Sequence, residues 1–85
     1  MITAAQVRAA RALLNWTQDE LAQRSNVAAR SIRNVENEDR RSYPQTVDSL
    51  RAAFESAGVV FLEVDGGRGV LLMDGRFSAQ GTVVS

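Results

Sequence analysis

Eighty-five residues suffice for one small domain with one modest core, which excludes a multi-domain enzyme and a large cofactor site. The 45% hydrophobic and 24% charged fractions are those of an ordinary globular chain, and 10 basic residues balance 10 acidic ones, so only a weak overall field draws it to nucleic acid. With no Cys and no His, there is no disulfide framework, no thiol nucleophile, no histidine base and no zinc site of the usual kind.

Every cationic residue is Arg, a bias that a GC-rich genome produces by itself and that physically favours planar, bidentate contacts over point charges. Leaving Gly aside, the longest apolar runs, Val59 to Leu62 and Val70 to Met73, are far too short to span a bilayer. The N-terminus lacks a basic segment followed by an apolar one, so a cytoplasmic protein is expected. In chain order, Thr3 can cap a helix beginning near Ala4, on which Val7, Ala10, Leu13 and Leu14 recur at helical spacing beside Arg8 and Arg11. Thr17-Gln18-Asp19-Glu20 is a capping box that opens a short helix to Arg24, and Trp16 before it is placed to pack as a staple on the core. Ser25, Asn26 and Val27 interrupt the pattern with a tight turn, since Asn tolerates a left-handed backbone. A third helix follows from Ala28 to Asn37, with Ile32 and Val35 on one side and Arg30, Arg33 and Asn34 directed elsewhere.

Glu38 to Pro44 is charged, aperiodic and read as a loop ending in a Pro that the preceding helix cannot include. Val47, Leu50, Phe54 and Ala57 then form the clearest amphipathic stripe in the chain, with Gly58 where a helix ends. Val59 to Val64 and Val70 to Met73 are β-prone runs separated by Asp65 to Gly69, which reads as a hairpin. The expected fold is mainly α: one domain over 1–73, with a helical core over 4–57 and a short β-hairpin over 59–73, followed by a flexible tail over 74–85.

Two helices joined by a three-residue turn, Thr17 to Asn37, form a helix-turn-helix, in which the second helix lies in the DNA major groove while the first crosses the backbone. Thr17-Gln18-Asp19-Glu20-Leu21-Ala22, then Val27, Ser31-Ile32 and Val35-Glu36-Asn37, resemble the phage-repressor and Cro-like (XRE-type) helix-turn-helix family, including its short single-domain bacterial members. The resemblance runs from Ala5 to about Gly58 and implies a lambda-repressor-like four-helix core and a sequence-specific DNA-binding transcriptional regulator. It implies that Gln18 contacts a phosphate at a helix N-terminus, and that the recognition helix 28–37 presents Ala28, Ala29, Arg30, Arg33 and Asn34 to base edges. By chemistry Arg30 suits guanine, Asn34 adenine, and Ala28 or Ala29 a thymine methyl. Arg40 and Arg41 are phosphate or minor-groove candidates, with local pairing to Glu38 and Asp39 as the alternative, and Tyr43 adds a phosphate hydrogen bond. Arg11 and Glu36 match a structural ion pair of the family, which removes both from the DNA-binding charge.

The chain departs from that pattern in having Asn26 in the turn, Ala28 at the head of the recognition helix, and Glu38-Asp39 beside the DNA-facing surface. Those acids leave a net charge of only +1 across residues 26–45 (Arg30, Arg33, Arg40 and Arg41 against Glu36, Glu38 and Asp39), so affinity has to come from a few placed contacts and from pairing of two copies. Double-stranded DNA with a palindromic operator is the expected partner, and strand pairing at an edge of the apolar hairpin offers a homodimer contact. The same acids, the neutral chain and the hairpin also fit a second reading, a protein-binding module such as an antiactivator or antitoxin that captures another regulator. No catalytic residue, cofactor or metal is expected: Gly66-Gly67-Arg68-Gly69 lacks the Lys-Ser/Thr ending of a phosphate loop, and the carboxylates have no nucleophile beside them.

Overall fold

Side chains that satisfy free backbone N–H groups decide where the first two helices start. In the computed structural model, which describes residues 2–37 and 43–73, Thr3 caps α1 (Ala4–Leu14) and Thr17 caps α2 (Gln18–Ser25), each in a complete capping box. The reciprocal donors are the Thr3 and Thr17 amides, which Gln6 and Glu20 accept at 3.0 and 2.9 Å. Both helices end on a left-handed Asn, Asn15 (φ 58°) and Asn26 (φ 59°), a conformation that Asn adopts at lower cost than most side-chain-bearing residues. The third helix, α3 (Ala29–Glu36), is shorter than the sequence pattern suggests, because Ala28 and Asn37 are its caps rather than its first and last turns.

Helix α4 (Pro44–Ser56) corrects the loop boundary. Pro44 is the first residue of the helix, where its missing N–H costs nothing and its fixed φ is helical already. Its stripe of Val47, Leu50 and Phe54 is buried, and Gly58 follows the Ala57 cap with φ +99°. A Cβ on Gly58 would lie 3.2 Å from the Met73 carbonyl, so a side chain there would crowd that carbonyl as well as strain the left-handed backbone. The strands are β1 (Val59–Val64) and β2 (Gly67–Leu72), antiparallel in the register Val59↔Leu72 to Val64↔Gly67. The turn is therefore only Asp65-Gly66, with Gly66 at φ +85°, and the second strand starts three residues earlier than the apolar run suggests, since Gly67, Arg68 and Gly69 join the ladder.

The core runs through all four helices and into the hairpin: Val7 and Ala10 of α1, Leu21 of α2, Ile32 and Val35 of α3, Val47, Leu50 and Phe54 of α4, and Val59 of β1. Phe54 is its centre, stacked on Trp16 at 5.8 Å between ring centroids and edge-on to Phe61 at 5.9 Å. Leu13, placed on the core side by helical spacing alone, is exposed. The hairpin packs on α1 and α4, while α3 packs on α1 and α2. Gln6, buried on α1, latches the hairpin: its Nε2 donates to the Leu62 and Gly69 carbonyls at 3.2 and 2.9 Å. The tail, 74–85, lies outside the described residues.

Candidate nucleic-acid interface

The helix-turn-helix is assembled around a carboxylate. Glu36, the last residue of α3, is buried, and its two oxygens accept Arg11 Nε at 2.7 Å and Nη2 at 3.0 Å in a bidentate pair. Gln18 Nε2 at the head of α2 donates to Glu36 Oε1 at 3.1 Å, and Arg11 Nη1 also donates to the Trp16 carbonyl at 3.0 Å. Arg8 donates to the Glu36 backbone carbonyl, which places a cation at the negative end of the α3 dipole. One acid thus ties α1, the entry to α2 and the end of α3 together, which sets how α3 is presented. Burial pushes the Glu36 carboxyl up, but the donors from Arg11 and Gln18 and the charges of Arg11 and Arg8 outweigh it and hold the group below the usual carboxylate range. The Arg11 guanidinium is raised in turn by its hydrogen bond to Glu36, against the opposing effect of burial.

On the outer side of α3, Arg30 and Arg33 are exposed. Ile32, Val35 and Glu36 take the inner side, so Asn34 and Ala29 sit at the margin and are only half-exposed, less outward than their spacing suggests. Ala28 is exposed and provides no side-chain cap, which leaves the first-turn N–H groups of α3 open to an oxygen acceptor. Arg33 lines an open groove of about 560 Å³ with Asn15, Thr17, Gln18 and Asp19, so one cation of α3 faces the amino end of α2. Gln18 reaches that groove with one amide hydrogen already committed to Glu36, leaving its second hydrogen and its backbone for another partner. Tyr43 is 70% exposed just ahead of α4. Arg40 and Arg41, with Glu38 and Asp39, lie outside the described residues.

Three features of this region are not apparent from residue spacing. Gln18 belongs to the Glu36 network, Arg8 holds the Glu36 carbonyl, and Arg24 of α2 lies over the Trp16 ring at 4.5 Å, the same ring that stacks with Phe54. The capping role of Gln6, by contrast, had a readable signal, since Thr3 to Gln6 repeats the three-residue spacing of the Thr17 to Glu20 capping box, whereas its hold on the hairpin did not. Among the described residues there is no cluster of acids suited to a metal ion, and no helix is long and apolar enough to cross a membrane.

A helix-turn-helix family model matches residues 7–55, from the first helix to the end of the fourth. No curated protein matches the chain.

Proposed function

We propose that this chain, which belongs to the helix-turn-helix family, is a sequence-specific transcriptional regulator that occupies a palindromic operator as a homodimer. DNA binding of this general kind goes with the family; the operator, the pairing and the residue roles are our reading. The observation that carries it is the outer side of α3, where Arg30 and Arg33 stand exposed beside an N-terminal turn with no side-chain cap. In this reading residues 1–73 are the DNA-binding domain and the chain works as a repressor at the bacterial nucleoid.

Arg30 donates to the O6 and N7 of a guanine, Asn34 pairs with an adenine beside it, and Ala28 and Ala29 let the backbone approach and touch a thymine methyl. Arg33 and Gln18, sharing a groove at the amino end of α2, hold a phosphate, with Tyr43, Arg40 and Arg41 on the flanking backbone. The Glu36 network supplies no DNA charge; it holds α3 in the orientation that these contacts need.

Selection of bound duplexes from a random pool at physiological salt tests the proposal. A palindromic site should be recovered, and Arg30→Ala should relax preference at one base pair by about 1 to 3 kcal/mol. Uniform weakening at all sequences would make Arg30 a phosphate ligand. If no duplex is enriched while a specific protein is retained from nuclease-treated lysate, the antiactivator or antitoxin reading replaces this one.

A further inference from the structure

We infer that the outward face of the β-hairpin, rather than its edge, is the seam between two copies of this chain, an inference that rests on the operator-binding reading above. Paired residues of an antiparallel ladder share a face, so the register divides the hairpin into two sides. Val59, Phe61 and Val70 pack inward on the helices, with Glu63 and Arg68 pairing to each other at 3.0 Å on that same side. The other side carries Val60, Leu62, Val64 and Leu71, exposed at 38, 41, 68 and 47%, opposite Gly67 and Gly69 in the ladder. This side has no charged and no hydrogen-bonding side chain. Gln6, which rests on the Leu62 and Gly69 carbonyls, holds the hairpin against α1, so the face is presented by a fixed element.

The occupant is a second copy. An uncharged face offers nothing to select a charged partner, and with 10 basic and 10 acidic residues two copies do not repel. The four side chains expose roughly 300 Å² of apolar surface, a size that on a monomer is commonly functional but is under half of the ~800 Å² that each partner of a stable complex buries. Association is therefore weak in free solution and completes on DNA, where adjacent half-sites hold two copies at high effective concentration. The hairpin packs on α1 and α4, whereas α3 packs on α1 and α2, so a copy seated on the hairpin leaves α3 clear for the groove.

Because the chain has no Cys, a single introduced one reports contact without ambiguity. Val60→Cys, Leu62→Cys and Val64→Cys in the full chain, under mild oxidation, should form covalent dimers much faster than Glu63→Cys, which is 67% exposed but on the other side of the ladder and so reports random collision. Leu62→Glu should lower affinity for the full palindrome at least tenfold and flatten the binding curve, with half-site affinity unchanged. Monomer at all three outward positions, linkage through Glu63→Cys as readily as through them, or full-site binding unaffected by Leu62→Glu overturns the seam. Outward cysteines that link in a chain binding no duplex would uphold the seam and refute the operator reading instead.

Discussion

Replacing Glu36 with Gln removes the charge that three elements share and keeps the side-chain volume. Glu36 is 4% exposed, while the Arg11 side chain that it pairs with is 22% exposed, so water relieves part of the lost interaction. Breaking one member of a buried pair costs about 3 to 5 kcal/mol, and the partial exposure of Arg11 places the expected loss near the lower end, about 3 kcal/mol. For a domain of this size each kcal/mol shifts the midpoint by about 4 to 8 °C, so thermal unfolding followed by circular dichroism at pH 7 should show a drop of roughly 12 to 24 °C. The sign with pH follows from the carboxyl being held down in the fold. Its contribution is fully present above the ordinary glutamate pKa of about 4.3 and is lost as pH falls through the depressed folded value. The difference between the natural chain and Glu36→Gln should accordingly close in acid. A midpoint shift under about 4 °C at pH 7, or a difference that persists below that folded value, would show that the pair only breaks even against its desolvation and would refute the reasoning.

Phe54→Ala removes the fully buried ring that Trp16 and Phe61 pack against, at a cost of about 3 to 5 kcal/mol. The single Trp should report it by a red-shifted emission at temperatures where the natural chain is folded. Gln6→Leu removes the latch to the Leu62 and Gly69 carbonyls, which keep their ladder partners, and also the acceptor of the Thr3 amide in the α1 capping box, so the loss of about 1 to 2 kcal/mol falls on the hairpin and the first turn of α1. Amide exchange should accelerate about tenfold in β1 and β2 with α2 and α3 unchanged, and uniform acceleration would mean that the hairpin and helices open as one unit.

The helical elements were legible because their determinants are local. Thr17 and Glu20 satisfy each other's backbone within one turn, Asn26 adopts a left-handed conformation by its own nature, and the spacing of Val47, Leu50 and Phe54 defines a face without reference to any partner. Boundaries were less legible. Pro44 can end a loop or begin a helix, and only the helix that follows decides which. Arg68 and the glycines beside it have little strand preference, and they extend β2 because Glu63 and its neighbours on β1 offer them a ladder.

By itself the sequence determined the helix-turn-helix, its polar outer side, and the absence of thiol and imidazole chemistry, since each follows from residue type and short-range spacing. Tertiary structure alone decided that Gln18 and Arg8 serve Glu36, that Gln6 holds the hairpin, and that Val60, Leu62, Val64 and Leu71 face away from the core. Those outcomes depend on residues 18 to 63 positions apart meeting in space, and whether a polar side chain is spent inside the fold or left for a partner depends on which distant donor or acceptor the packing brings within 3 Å or so of it.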